Sequence, residues 1–287
     1  MFTKRTALLF AIDEYDNYAP LSCVRRDIEG DAQRPGLRTV LSEGLKKHSF
    51  APVTALCGRL PAATVQELIQ RTIKDLKDAG ADSEDTLLFL YFSGHGAAIE
   101  VEAPEDQFLI ATSDTELDNP ARGIRFPWLF KQILQLRSAV VCCIDCCYGG
   151  KAVNGAEHYA RSSGKHNLAI FASCAADEES FVEKDHSQSR FTHFLIESLL
   201  GREPVSSHLR EVTTSSLASA LRTRFQSAEQ TPTAWTGDTS ILLSRPHAPM
   251  AWIGYPIARY FQERFRRDST RALQRAIDGF GPGLSPS

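Results

Sequence analysis

Two strand-length apolar runs, at 86–92 and 139–145, constrain the fold of this chain more than any other feature. Each run leads directly into a glycine-rich motif, Tyr-Phe-Ser-Gly-His-Gly at 91–96 and Asp-Cys-Cys-Tyr-Gly-Gly at 145–150. Apolar runs of this length, bounded by glycine, are typical of strands buried in a parallel sheet. Because ligands bind at the carboxyl ends of such strands, we expect His95 and Cys147 to lie side by side at a functional edge.

This histidine and this thiol have the chemistry of a nucleophile and its base. A free thiol is mostly protonated at neutral pH, so a cysteine nucleophile needs a neighbouring base or cation. Glycines flank His95 and follow Cys147, which allows the close approach of a peptide. The two residues are 52 positions apart (147 minus 95), in agreement with the separation of about 50 residues known for caspases. The pattern predicts a cysteine protease.

The chain resembles the caspase and metacaspase superfamily of cysteine peptidases. The run at 145–150 is similar to the metacaspase pattern Asp-x-Cys-(His or Tyr)-(Ser or Gly)-Gly, in which Cys147 matches the nucleophile and Cys146 the variable position. The motif at 91–96 is similar to the region that carries the family's catalytic base, which His95 matches. Weaker similarities extend the resemblance over about residues 6–244; they lie at 8–15, 21–27, 172–179, 190–194 and 230–232.

The resemblance also implies which residues bind the substrate. An acid two residues before the nucleophile and another near the start of the first helix line the S1 pocket of metacaspase-like proteins, and these match Asp145 and Asp27. Two carboxylates would hold a substrate Arg or Lys, whereas animal caspases carry Gln in place of Asp145. The backbone amides of Gly96 and Cys147 match the oxyanion-binding donors. No third residue of a fixed triad is required in this superfamily.

Each of these residues has a plainer interpretation. Asp27 could meet the positive end of a helix dipole, and Asp145 could make a strand-end hydrogen bond. Residues 177–179 fit either a rim of the cleft or a solvated turn. Cys146 is the rival nucleophile, since only the family register separates it from Cys147.

A metal site is the other chemical hypothesis. Cys143 and Cys146 have the C-x-x-C spacing of zinc or redox pairs, but no second ligand pair accompanies them. We therefore predict no cofactor. Calcium activates some metacaspases, but no acidic cluster here is specific enough to predict it.

Composition limits the classes of partner. The chain has 287 residues, a net charge of −3 and a pI near 6.3, so we expect neither nucleic-acid nor membrane binding. The apolar run at 7–12 is too short for a signal peptide and ends at Asp13. Seven cysteines, four of them within 142–147, do not form a disulfide framework, and a nucleophilic thiol must stay reduced. These observations favour a cytoplasmic protein.

Strand and helix patterns alternate along the chain. Strands are predicted at 6–12, 50–56, 86–92, 139–145, 168–174 and 239–243, with a small hairpin at 98–111. Helices are predicted at 27–47, interrupted at Pro35-Gly36, and at 63–79, 126–136, 191–200 and 215–225. Right-handed β-α-β crossovers then give a three-layer α/β/α sandwich around a mostly parallel six-stranded sheet of caspase type.

Two polar stretches and the tail complete the organisation. Residues 151–167 and 183–189 are predicted to be solvated loops, and the resemblance makes them candidate sites of autoprocessing. We assign 1–245 to the peptidase domain and 246–287 to a linker and a basic amphipathic helix at 258–280. That helix either packs on the domain, docks a partner or binds a membrane surface.

The sequence thus predicts a peptidase that cuts after Arg or Lys. The resemblance further implies regulation by an upstream sensor or activator protein, and bacterial immunity is one setting in which such peptidases act. The alternative is a catalytically silent scaffold or regulatory interaction protein on the same fold.

Overall fold

A computed structural model describes residues 2–99, 101–103, 107–116, 122–182, 188–203, 205, 211–225 and 229–246. The strands are β1 (Lys4–Ile12), β2 (Val53–Gly58), β3 (Thr86–Ser93), β4 (Gly96–Ala98), β5 (Phe108–Ile110), β6 (Ile124–Arg125), β7 (Ala139–Asp145), β8 (Leu168–Ala172), β9 (Val212–Thr213), β10 (Thr233–Thr236) and β11 (Leu242–Ser244). The helices are α1 (Val24–Glu29), α2 (Leu37–Thr39), α3 (Ala62–Asp78), α4 (Phe126–Leu134), α5 (Gly150–Ser163), α6 (Arg190–Leu199) and α7 (Thr214–Arg224).

Six strands form the central sheet in the order β2-β1-β3-β7-β8-β10. Neighbouring strands are parallel except for β10, which runs antiparallel to β8 at the edge. Every residue of β3 and β7 is buried, because helices cover both faces of a parallel sheet. The predicted fold class, a three-layer α/β/α sandwich with a mostly parallel sheet, is confirmed.

Two hydrophobic cores lie on opposite faces of the sheet. Alternate β1 residues enter different cores, with Leu9 in the first and Leu8 and Phe10 in the second, because successive strand side chains point to opposite faces. The first core is completed by α1, α2, α6 and α7, and the second by α3, α4 and α5. In α3 the buried positions recur at the three- and four-residue spacing of an amphipathic helix; they are Val65, Leu68, Ile69, Ile73 and Leu76.

The segment after Cys147 corrects one prediction. Residues 151–163 belong to the helix α5 and not to a loop. Its buried face is made of small residues, among them Ala152, Ala156 and Ala160, so the stretch lacks the large apolar side chains that signal an amphipathic helix. The helix ends at Gly164, whose φ of 67° is the left-handed conformation that glycine adopts without strain. Residues 164–167 form the connection to β8.

The last predicted strand was also misassigned. The sixth strand of the central sheet is β10, whereas Leu242–Ser244 pairs with β9 in a separate two-stranded sheet. The four residues of β10, Thr-Ala-Trp-Thr, are too few to show a period on their own. The hairpin predicted at 98–111 is confirmed as the antiparallel pair β4–β5, which β6 extends to three strands.

The first helical stretch is shorter and more broken than predicted. It divides into α1, α2, a π-helical turn at Val40–Gly44 and a 3₁₀ turn at Lys46–His48. The predicted restart at Pro35-Gly36 is confirmed, since Gly36 precedes the first residue of α2. The tail from 247 onward and residues 183–187 lie outside the described residues, so the predictions for 258–280 and for most of 183–189 are not addressed by the structure.

Candidate active site

The sheet register brings His95 and Cys147 to equivalent positions on neighbouring strands. Ser93, the last residue of β3, pairs with Asp145, the last residue of β7, and the Gly94 amide donates a hydrogen bond to the Asp145 carbonyl at 3.2 Å. His95 and Cys147 each follow two residues later. The structure therefore places both at the carboxyl edge of the sheet, on adjacent strand ends.

Gly96 holds the two strand ends against each other. A Cβ atom at this position would lie 2.3 Å from the Cys147 carbonyl oxygen and 2.8 Å from the Cys146 sulfur. No other residue type fits such an approach of backbone to backbone. Thus the backbone on which the predicted oxyanion donors lie, at Gly96 and Cys147, is packed into one small region.

The His95 imidazole is held by a carbonyl group that sequence reasoning missed. Its Nε2 lies 2.9 Å from the Ala19 carbonyl oxygen. Because a carbonyl only accepts hydrogen bonds, Nε2 carries the proton, and in the neutral ring Nδ1 is left as the basic atom. This orienting group is main chain and leaves no signal in the side-chain sequence, which is why the motifs alone did not reveal Ala19.

Cys147 and Cys146 differ in burial. Cys147 is partly exposed and Cys146 is 3% exposed within the second core. Burial raises the pKa of both thiols, and that of Cys146 by far the more. For Cys147, hydrogen bonding by the Ser180 amide opposes the effect, while the negative charge of Glu179 adds to it. Exposure favours Cys147 over Cys146 as the nucleophile, and its raised pKa means that it needs a base.

The turn that carries Cys147 is fixed by the segment after β8. The next residue, Tyr148, has a φ of 60°, and its amide donates to the Glu178 carbonyl at 2.9 Å. The Glu178 carboxylate accepts from the Thr231 amide at 2.7 Å and from the Ala175 amide at 3.2 Å. Of the predicted rim residues 177–179, Glu178 therefore has a structural role.

Asp27 and Asp145 are both buried, with 0% and 4% exposure. Ser189 joins them: its amide donates to Asp27 Oδ1 at 2.8 Å, and its hydroxyl donates to Asp145 Oδ2. Burial raises the pKa of each carboxyl, and for Asp27 the nearby Asp145 charge raises it further. The family resemblance implied that these two acids line one pocket, and the structure brings them to a common residue, Ser189.

Further donors to the two acids, among the residues that the structure describes, are hydroxyl groups. Ser93 Oγ donates to Asp27 Oδ2 at 2.9 Å. Ser180 Oγ donates to Asp145 Oδ1 at 2.9 Å, and Thr192 Oγ1 donates to Asp145 Oδ2 at 2.7 Å. Ser189 also caps α6 by accepting from the Thr192 amide. The sequence signal that would have found Ser189 is the N-cap serine at the start of this helix.

Comparison with known proteins identifies the family to which this chain belongs. The model of the caspase domain, peptidase family C14, matches residues 4–238. The chain therefore belongs to the caspase-domain family of cysteine peptidases. Among solved structures, caspase-1 from Spodoptera frugiperda is similar in fold, with a TM-score of 0.54 and 16% identity over 86% of this chain and 92% of that chain. Among curated proteins, none is significantly similar to this chain.

Two further features bear on cofactors and membranes. Within the ranges that the structure describes, no cluster of three or more His, Cys, Asp or Glu side chains could hold a metal ion. The helices of those same ranges include none that is both long and apolar enough to cross a membrane.

Proposed function

We propose that this chain is a metacaspase-like cysteine endopeptidase that cleaves proteins after Arg or Lys. The observation that carries the proposal is one edge of the sheet that holds both a Cys147–His95 pair and two buried acids, Asp27 and Asp145, linked through Ser189. The pair supplies a nucleophile with its base, and the acids supply selectivity for a basic residue.

The chemistry follows acyl transfer. The Cys147 sulfur attacks the carbonyl carbon of the scissile bond, and its proton passes to Nδ1 of His95, whose Nε2–H stays bonded to the Ala19 carbonyl. The backbone amides of Gly96 and Cys147 stabilise the oxyanion. The imidazolium then protonates the leaving amine, and water hydrolyses the thioester.

Selectivity for a basic residue follows from the acid pair. Two carboxylates that lie close together away from water disfavour each other's ionised form. A guanidinium or ammonium group of the substrate relieves this repulsion and offers charge-assisted hydrogen bonds to Asp27 and Asp145, each worth about 1.5–3 kcal/mol. A substrate Asp would add a third negative charge to this pocket, so cleavage after Asp is not expected.

The proposal includes regulation. Both acids are closed off by Ser180 and Ser189 in this structure, so the segments that carry these serines must shift before a side chain reaches the carboxylates. We infer that an upstream sensor or activator protein drives this opening, as in caspase-like peptidases of bacterial immunity. The proposed compartment is the cytoplasm, where thiols stay reduced. The proposed reaction requires no cofactor, and calcium dependence is left to the assay.

The test is cleavage of fluorogenic peptides that end in Arg, Lys or Asp, with and without calcium, and with cell extract added as a source of activators. Wild type is compared with Cys147→Ala and with Cys146→Ala as a matched control, since the control removes a neighbouring thiol outside the proposed chemistry. We expect Arg and Lys cleavage that is lost only in Cys147→Ala. Cleavage after Asp would contradict the acid-pocket assignment, and loss only in Cys146→Ala would contradict the nucleophile.

A silent scaffold on the same fold is the second candidate function. The observation that favours it is the closed acid pair together with the raised pKa of the Cys147 thiol. An electrophilic Arg-chloromethyl ketone distinguishes the two: labelling of Cys147 supports the peptidase. No labelling, with or without calcium and with cell extract added as a source of activators, supports the scaffold.

A further inference from the structure

The segment 13–21, between β1 and α1, is braced from several sides. Its Asp16 amide donates to the Ser113 carbonyl at 2.8 Å, and its Asn17 side chain donates to the Thr115 carbonyl at 3.1 Å. Ion pairs add to this, among them Arg25–Asp13 at 2.8 Å and Arg59–Asp16 at 2.6 Å. A loop with this many connections holds its side chains in defined positions.

Two tyrosines of this segment contact His95. The His95 amide donates a hydrogen bond to the Tyr15 hydroxyl at 2.8 Å, and the two rings lie 4.8 Å apart, centre to centre. The Tyr18 ring is stacked on the imidazole at 5.3 Å and 30°. The tyrosine rings also touch each other edge to face at 5.8 Å. The segment therefore contacts His95 at its backbone amide, through Tyr15, at its ring, through both tyrosines, and at Nε2, through the Ala19 carbonyl.

Gly94 shows how closely Tyr15 is seated. A Cβ atom on Gly94 would lie 2.5 Å from the Tyr15 hydroxyl oxygen and 3.2 Å from the Ile12 carbonyl, and Gly94 has a φ of 159°. The glycine before the histidine thus makes room for the tyrosine hydroxyl. This gives the Ser-Gly-His-Gly motif a second packing role besides the approach of Gly96 to Cys147.

We propose that Tyr15 and Tyr18 are positioning residues for His95. Tyr15 fixes its backbone, and the two rings hold the imidazole so that Nε2 faces Ala19 and Nδ1 faces the cleft. The rings also favour the imidazolium that forms during the reaction, because a cation within about 6 Å of an aromatic face is attracted to it. This inference rests on the proposed role of His95 as the base. Neither tyrosine has a proton-transfer role in this proposal, so each acts through the histidine that it contacts.

The first readout is independent of activity. In ¹⁵N-labelled protein, the ring nitrogens of His95, assigned by comparison with His95→Ala, are expected to show the single Nε2–H tautomer. Tyr18→Leu is expected to give a mixture of tautomers, and Tyr18→Phe to restore the wild-type spectrum because the ring is retained. Tyr159→Phe, which alters a tyrosine that packs on Phe130 in the second core, is the matched control with an unchanged His95 spectrum.

The second readout is kinetic. For Tyr18→Leu we expect kcat to fall about tenfold with KM unchanged, since general acid–base catalysis is worth on the order of 10²–10⁴ in rate and only its orientation is impaired. Tyr15→Phe, which removes one hydroxyl and keeps the ring, is expected to lower kcat in the same way. The melting temperature of each variant is measured alongside.

The outcomes separate the hypotheses. If Tyr18→Leu leaves both the tautomer and kcat unchanged, or lowers the melting temperature alone, the positioning role is wrong. If the wild type shows no turnover on any peptide even with calcium and cell extract present, the proposed function fails, whereas the tautomer spectra still decide the role of the tyrosines. An Nδ1–H tautomer in the wild type would overturn the proposal outright.

Discussion

The two ends of the central sheet hold ionisable groups in contrasting ways: a half-buried lysine at one end and a buried pair of acids at the other. At the amino end, Lys165 donates to the Leu136 and Ser138 carbonyls at 2.7 and 3.0 Å and to Asn167 at 3.0 Å, so that it ties together the starts of β7 and β8. At the carboxyl end, Asp27 and Asp145 are like charges linked through Ser189; burial raises the pKa of both, and the Asp145 charge raises the pKa of Asp27 further.

The difference shows which end is architectural. The Lys165 ammonium is paired with carbonyl oxygens of its own neighbourhood and lines a cavity of about 570 Å³. The acid pair costs stability because two carboxylates are buried together, and buried like charges of this kind cluster at functional sites. Four variants, one of them a double substitution, sharpen or break this contrast.

The largest effect is expected when both acids are neutralised. Asp27→Asn combined with Asp145→Asn should lower kcat/KM for Arg peptides on the order of 10³-fold, since two charge-assisted bonds of about 1.5–3 kcal/mol each are weakened. Urea unfolding should show equal or higher stability, because the buried like charges are gone. Unchanged kcat/KM in a folded double variant would refute the pocket.

A glycine at each end gives a matched pair. Gly96→Ala should lower kcat about 10²-fold, since its Cβ would displace the Cys147 backbone and with it an oxyanion donor. Gly164→Ala at the amino end meets no atom within 4 Å and has only a φ of 67° to strain it, so we expect about 1 kcal/mol of destabilisation with kcat unchanged. If Gly96→Ala and Gly164→Ala lowered kcat equally, the assignment of catalysis to the carboxyl end of the sheet would be wrong.

Replacing the lysine should alter stability alone. Lys165→Met leaves the Leu136 and Ser138 carbonyls without their donor, and we expect the free energy of unfolding to fall by about 1–3 kcal/mol with kcat unchanged. The control is Lys74→Met, which removes an exposed pair with Asp78 and should change stability by less than about 0.5 kcal/mol. A loss of kcat in Lys165→Met would mean that the amino end serves catalysis.

The smallest expected effect is a difference in the pH dependence of stability. The acids have folded-state pKa values above their usual 3.8, because burial raises both and for Asp27 the Asp145 charge adds to it. The native state therefore binds their protons more tightly. The stabilisation of the folded state by this proton binding is fully present at low pH, and it is lost as pH rises from 3.8 through the folded-state pKa values.

Lys165 should act in the opposite direction. Burial lowers its pKa from 10.5 to about 8, so the unfolded chain binds more protons between these values and stability rises with pH there. Urea unfolding across this pH range, for wild type, for the double Asp→Asn variant and for Lys165→Met, isolates the pH dependence that each group contributes to stability. If the free energy of unfolding changed with pH in the same direction for the acids and for Lys165, the contrast between the two ends of the sheet would be wrong.

The sequence predicted those elements whose structure depends mainly on residues that are neighbours in the chain. The runs at 86–92 and 139–145 revealed β3 and β7, because strands covered on both faces need continuous apolar sequence. For α5 the same logic failed, since its buried Ala152 and Ala156 are too small to stand out from a polar loop. β10 was missed because four residues show no period.

Sequence alone predicted the layered sheet and the candidate residue His95, because strand patterns and the glycine motifs that end them are local, and the family resemblance in those motifs added Cys147 and Asp145. Tertiary structure decided what surrounds these residues. The Ala19 carbonyl that holds His95 lies 76 residues away from it in the chain. Ser189, which links the two acids, lies 162 residues from Asp27 and 44 residues from Asp145. Such contacts exist only once parallel strands bring their ends together, and a main-chain carbonyl carries no residue type that a sequence pattern can reveal.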